Sequence, residues 1–197
     1  MSEIKSALEL ALEKTAEVKS DKSSVEAHDA RQQGMRLAGR FLDDPTLDIE
    51  REIKKMEKPR RRSAREGFYQ VLLSHLALPG QDSDIQRLGV VQSGLKEVVR
   101  DKNLVDGLME QVMQYLQQYL DTKNQLTERL REQFEPRMRQ KEQQIAQQTG
   151  RPVRLDPAND PEFAEALNAN IQQLRSQYGQ VIDQAKQQLD RLFAESK

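Results

Sequence analysis

The most regular apolar pattern in the chain lies in its second half, and it reads the same in both directions. Going forward, Leu116, Tyr119, Lys123, Leu126, Leu130, Phe134, Met138, Lys141 and Ile145 recur at helical spacing. Going back from the other end, Leu192, Leu189, Ala185, Ile182, Tyr178, Leu174, Ile171, Leu167 and Phe163 recur at matching intervals. Two helices folded back on each other about residue 154 produce this mirror, because each layer of an antiparallel pair joins residues equally far from the turn. That pairing sets Leu116 opposite Leu192, Phe134 opposite Leu174 and Ile145 opposite Phe163. The runs of fours and threes approximate an eleven-residue period, which keeps the seam of a coiled-coil-like hairpin nearly straight.

The ends of this hairpin carry their own signals. Its first helix reads from Leu104 to Gln148 and stops at Gly150 and Pro152, as helix C-termini do. Asp160 followed by Pro161 is a good N-cap with proline in the first turn, and the last helix runs from there to about Phe193. The loop at 149–161 forms the tip. Pro136 falls inside the first helix, removes one backbone hydrogen bond and predicts a kink. Leu104, Val105, Leu108, Met109, Val112 and Met113 continue the stripe beyond the reach of the mirrored pairing. They call for burial against the N-terminal helices or a second copy of the chain.

The first half reads as shorter helices. Ile4, Leu8, Ala11, Leu12, Thr15 and Val18 share one face, and Ser23 with Glu26 has capping-box spacing for a second helix on Ala27, Ala30, Gly34, Leu37, Ala38 and Phe41. Pro45 separates this from a weak helix at Ile49, Ile53 and Met56, which Pro59 is expected to end. Ala64, Phe68, Val71, Leu72 and Leu76 form an apolar helix from Ser63, closed by Pro79 and Gly80. Asp82 or Ser83 then caps a helix on Ile85, Leu88, Val91, Leu95 and Val98. The expected organisation is all-α: a cluster of short helices over 1–100, then a long antiparallel helical hairpin over 101–197.

Composition agrees with an elongated element. Charged residues are 32% against 36% hydrophobic and 5% aromatic, and mean hydropathy is −0.84, as expected where a narrow seam leaves much solvated face. A formal net charge of −1 gives no overall attraction to nucleic acid or an anionic membrane. The chain has no cysteine, which removes disulfides, thiolate metal sites and a cysteine nucleophile. The first residues lack a basic start followed by an apolar core, so no signal peptide is read, and no window spans a bilayer. A cytoplasmic protein with no membrane association is expected.

Candidate chemistry is sparse. Lys54, Lys55, Lys58, Arg60, Arg61, Arg62 and Arg65 form a basic cluster suited to anionic partners, including phosphates, although Glu50, Glu52, Glu57 and Glu66 are interleaved. The helices around Pro79 and Gly80 only loosely imitate a helix-turn-helix, with a longer turn and little positive charge on the second helix. At the tip, Arg151, Val153, Arg154 and Leu155 alternate basic and apolar groups on a proline-stiffened loop, a natural place for partner binding. Lys123 and Lys141 stand in seam positions, with stems expected to lie along the seam and amines in water. Asp43, Asp44 and Asp48 read as helix caps, and His28 and His75 lack companions for a zinc shell. No phosphate loop, nucleophile elbow or catalytic grouping is present, and no metal or cofactor is expected. The sequence announces an architecture and no activity. The expected role is a non-catalytic protein–protein interaction or assembly protein, with a protein partner or a homodimer; the alternative is a nucleic-acid-associated protein using the cluster at 54–65.

Overall fold

A computed structural model describes the backbone of residues 7–196 and the side chains of residues 23–196. The expected stripe from Ile4 to Val18 lies outside the described side chains. Six helices follow one another: α1 (Ala7–Asp43), α2 (Ile49–Lys54), α3 (Lys58–Ser74), α4 (Asp82–Val98), α5 (Lys102–Thr149) and α6 (Pro161–Ala194). The class is all-α, with no strand among the described residues. None of the described helices is long and apolar enough to cross a membrane.

Two expected boundaries move. Ser23 does not begin a helix, because α1 is continuous from Ala7 to Asp43. No glycine or proline separates Val18 from Val25, so the capping-box spacing has no break to act on. Pro59 opens α3 and does not close α2: it stands in the first turn of α3, where its missing N–H costs nothing. Asp48 caps α2 by accepting from the Arg51 N–H at 2.9 Å, and Asp44 accepts from both the N–H and the hydroxyl of Thr46. The capping role expected of this acidic run is therefore filled at Asp48, while Asp44 holds the turn between α1 and α2.

The chain groups into two compact units that interleave along the sequence. The first comprises Met1–Leu76, Gly89–Val105 and Leu189–Lys197, and the second Ala77–Leu88 and Asp106–Gln188. The expected division near residue 100 falls inside the first unit.

In the first unit, α1 and α3 cross at almost backbone contact. A Cβ built on Gly34 would lie 1.9 Å from the Ala64 carbonyl oxygen, and one on Gly67 would lie 2.0 Å from that of Arg31. Each helix thus offers a glycine to the other's backbone, with Ala30, Ala38 and Ala64 fully buried beside them. Phe41 and Phe68 meet edge to face at 5.7 Å, and the open edge of Gly94 lets α4 close on Phe41 and Leu72.

In the second unit, α5 and α6 touch in antiparallel order, in a register different from the expected one. Tyr119 meets Tyr178, Phe134 meets the edge of Phe163 at 5.5 Å, and Arg137 pairs with Glu162. Phe134 therefore faces Phe163 and not Leu174, eleven residues away. That difference is one period of the apolar repeat, so sliding the helices by it leaves apolar positions facing apolar positions. The slide arises because α5 outruns the start of α6. The segment after Gly150, whose positive φ of 68° ends α5, returns alongside it, and the Leu155 N–H donates to the Glu142 carboxylate at 2.6 Å.

The stripe that lacked a partner is buried in part. In the first unit the Arg100 N–H donates to the Ser196 hydroxyl at 2.7 Å, whereas folding about residue 154 would have put Ser196 near Val112. The last helix reaches further back than expected, and Val105, Met109 and Val112 are buried within the chain itself. Leu108 and Met113 are half-buried, and Leu104 stays exposed at 54%. Pro136 does not break α5, which continues through it on an exposed face.

Candidate functional site

Five members of the basic cluster face one cavity in the first unit. It has a volume of about 350 Å³ and is lined by Lys54 of α2 and by Lys58, Arg61, Arg62 and Arg65 of α3. Ile53, Val98 and Phe193 form its apolar part, and Ser196 stands at its rim. Spacing explains the basic wall: 58, 61, 62 and 65 recur every three or four residues and so share one helical face. Lys55 and Arg60 do not line the cavity. No acidic side chain among the described residues does.

The local sequence concentrates positive charge where a helix tolerates it least. The N-cap of α3, Glu57, makes no side-chain capping bond, and no acidic residue occupies the first turn. Lys58, Arg60 and Arg61 stand there instead, at the positive end of the helix dipole. Arg61 offsets this by reaching back to α2: its Nε donates to the Met56 carbonyl at 2.9 Å and its Nη2 to the Lys54 carbonyl at 2.7 Å. It thereby satisfies carbonyls that the end of α2 leaves without helical partners. Arg60 has a buried Nε with no hydrogen-bond partner among the described residues.

The remaining cations differ in how far they are committed. Lys54 pairs with Glu50 at 2.9 Å, Lys55 pairs with Glu52, and Arg62 reaches Glu66 at 3.3 Å. Glu66 also holds Arg31 of α1 at 3.0 Å. The Lys54 hydrogen bond holds the Glu50 carboxyl below its ordinary value, with Lys54 and Arg65 adding through-space attraction. Lys58 has no hydrogen bond or ion pair from its side chain among the described residues. Lys58 and Arg65 are therefore the charges most open to an outside anion.

The apolar floor comes from residues that sequence spacing could not associate with the cluster. Phe193, from the end of α6, stacks on Tyr69 with ring centroids 4.1 Å apart. The Tyr69 hydroxyl donates to Asp190 at 2.9 Å, and burial followed by this hydrogen bond raises its pKa above the ordinary phenol value. The ring of Phe193 is thus fixed from behind, and Val98 joins it from the end of α4. The Ser196 hydroxyl accepts from the Arg100 N–H and donates to the Leu192 carbonyl. Chemically, the cavity offers positive charge over an apolar surface.

The tip residues are mostly turned to solvent. Arg151, Val153 and Arg154 are exposed, and Leu155 is half-buried. Arg154 and Leu155 line a second cavity of about 400 Å³ with Glu128, Glu132, Glu135 and Glu142 of α5, where Arg131 and Arg139 add compensating charge. Beside it, Asp160 is the buried polar residue of the unit. Its Oδ1 caps α6 through the N–H groups of Glu162 and Phe163, while its other oxygen takes the Lys141 amine. The Lys141 bond, ahead of the backbone donors, holds the Asp160 carboxyl below the ordinary value, and Arg137 does the same for Glu162.

Both seam lysines have a protein partner in addition. Lys141 is paired with Asp160, and Lys123 donates to the Gly80 carbonyl at 3.2 Å. Neither contact could be seen while the hairpin was folded about residue 154. His28 and His75 are exposed, and no group of three or more His, Asp or Glu side chains suited to a metal occurs among the described residues.

Comparison with known proteins gives one match. A family model described as a family of unknown function, DUF6657, covers residues 50–191, which include the basic cluster, α4, α5, the tip and most of α6. No curated protein and no solved structure matches the chain.

Proposed function

We propose, for a chain that belongs to the DUF6657 family of unknown function, a non-catalytic protein-interaction role in which the cavity on α3 captures an anionic segment of a partner. The observation that carries this reading is the convergence of Lys54, Lys58, Arg61, Arg62 and Arg65 on one cavity with an apolar floor and no acidic lining residue among the described ones. Loose surface charges contribute little to affinity, but cations held around a partly desolvated recess discriminate strongly by sign. The action is assigned to the cytoplasm, in keeping with a chain that contains no cysteine.

The distribution of charge favours a protein segment over nucleic acid. A phosphate backbone is met by a continuous stripe of free cations, each releasing counterions. Here Lys54, Lys55 and Arg62 are engaged by Glu50, Glu52 and Glu66, which leaves a short, inward-facing set. The tip stands second as a partner site, because its exposed Arg154 is set beside glutamates on α5.

Affinity capture from the native cell, with identification of the bound proteins, tests the role. Wild-type protein is compared with the Lys58→Glu, Arg65→Glu double variant at low and moderate salt. The expected result is a specific protein set that is lost on charge reversal and weakens with salt. Equal recovery on both baits would overturn the role assigned to the cavity.

A further inference from the structure

We infer that the cavity on α3 reads a short extended peptide in which two acidic residues flank an apolar one. This rests on the proposed interaction role and specifies what the partner presents. Lys58 and Arg65 are separated by seven residues of α3, about 10 Å along the helix at its usual rise. In an extended strand the first and third side chains lie on one side about 7 Å apart and the second lies on the other; the flexible Lys58 and Arg65 stems close the few ångströms by which their positions on the helix exceed that spacing. Two carboxylates at those outer positions meet the ends of the cationic wall. The middle side chain then points to the other side of the recess, where Val98 and the fixed ring of Phe193 supply the apolar surface.

Two further observations select this ligand. The volume of about 350 Å³ lies at the small end of ligand sites, which run from about 300 to 1,000 Å³, so it suits one side chain and not a folded surface. The cations also do not converge on a single point. Arg61 is spent on the Met56 and Lys54 carbonyls and Arg62 on Glu66, so no bidentate pair of free guanidinium groups is available to clamp one phosphate. Two monovalent acceptors set apart match the free charges better than one divalent acceptor.

Fluorescence anisotropy on the full chain decides the matter, using labelled Glu-Phe-Glu, Glu-Gly-Glu and Lys-Phe-Lys peptides, with inorganic phosphate and a short single-stranded oligonucleotide as competitors. Glu-Phe-Glu should bind, lose roughly tenfold on replacing Phe by Gly, and lose roughly tenfold again with Arg65→Glu or Lys58→Glu, each reversal removing one charged contact. Lys-Phe-Lys should not bind. Far-ultraviolet circular dichroism checks that each variant retains its helices. Equal binding of Glu-Phe-Glu and Glu-Gly-Glu, unchanged binding to both charge variants, or preferential displacement by phosphate or oligonucleotide overturns the inference. If the peptide fails while capture of native proteins still depends on Lys58 and Arg65, the ligand assignment falls and the interaction role stands; if both fail, both fall.

Discussion

Gly34 and Gly67 show how much one missing methyl group decides. Their hydrogens face backbone carbonyls of the opposing helix at distances no Cβ tolerates, so α1 and α3 approach only because both positions are glycine. Alanine at either site must push the helices apart and disturb Phe41, Phe68 and Ala64, which the crossing buries. Overpacking of a tight contact costs about 1–3 kcal/mol and sometimes more. Gly34→Ala and Gly67→Ala are therefore expected to lower stability by about 3 kcal/mol in denaturant unfolding. Gly39→Ala provides the contrast: nothing lies within 4 Å of its added Cβ, and the substitution should stabilise by about 0.5–1 kcal/mol through helix propensity. Sequence reading placed Gly34 on the buried stripe of α1 but could not identify its opposite number, since that depends on which helix crosses there. Asp160 is a similar case. Its capping role was legible from the following proline, whereas its bond to Lys141 depends on the register of two helices.

Between elements, the governing fact is that an eleven-residue apolar repeat is nearly degenerate under a shift of eleven. The mirrored stripe predicts that α5 and α6 run antiparallel and share a seam, but it scores the pairing of Phe134 with Leu174 about as well as that with Phe163. Polar groups break the tie. Arg137 with Glu162, Lys141 with Asp160, and the Leu155 N–H with Glu142 are all satisfied together in one register. Chain connection agrees: an extended segment after Gly150 returns along the last turns of α5, where a symmetric tip would have turned at once. Paired cysteines report the register directly. With Phe134→Cys and Phe163→Cys a short bis-maleimide reagent should bridge the thiols within the chain, because these rings are in contact, whereas Phe134→Cys with Leu174→Cys, one apolar repeat or about 16 Å of helix further along, should stay unlinked. The reverse result, read by mobility on denaturing gels, would restore the fold about residue 154.

Across the molecule, charge is balanced overall and uneven locally. A formal net charge of −1 supplies no general field to draw in polyanions, so binding of anions has to come from the recess on α3. Duplex DNA and structured RNA are accordingly expected to show no retardation by the chain in native gels, even at low salt. A shift that weakens steeply with salt would instead assign the basic cluster to nucleic acid. Periodicity, caps and breakers were enough to determine an all-α chain with its main helices, since hydrogen bonding, apolar spacing and proline geometry act over a few residues. The basic cluster was equally visible as a run in sequence. Only the tertiary structure decided which cations share a cavity, that Val98 and Phe193 lie beneath them, and which turn of α6 faces which turn of α5. Those relations join residues tens of positions apart, where the sequence pattern is periodic and admits several registers, and close packing with paired polar groups selects one.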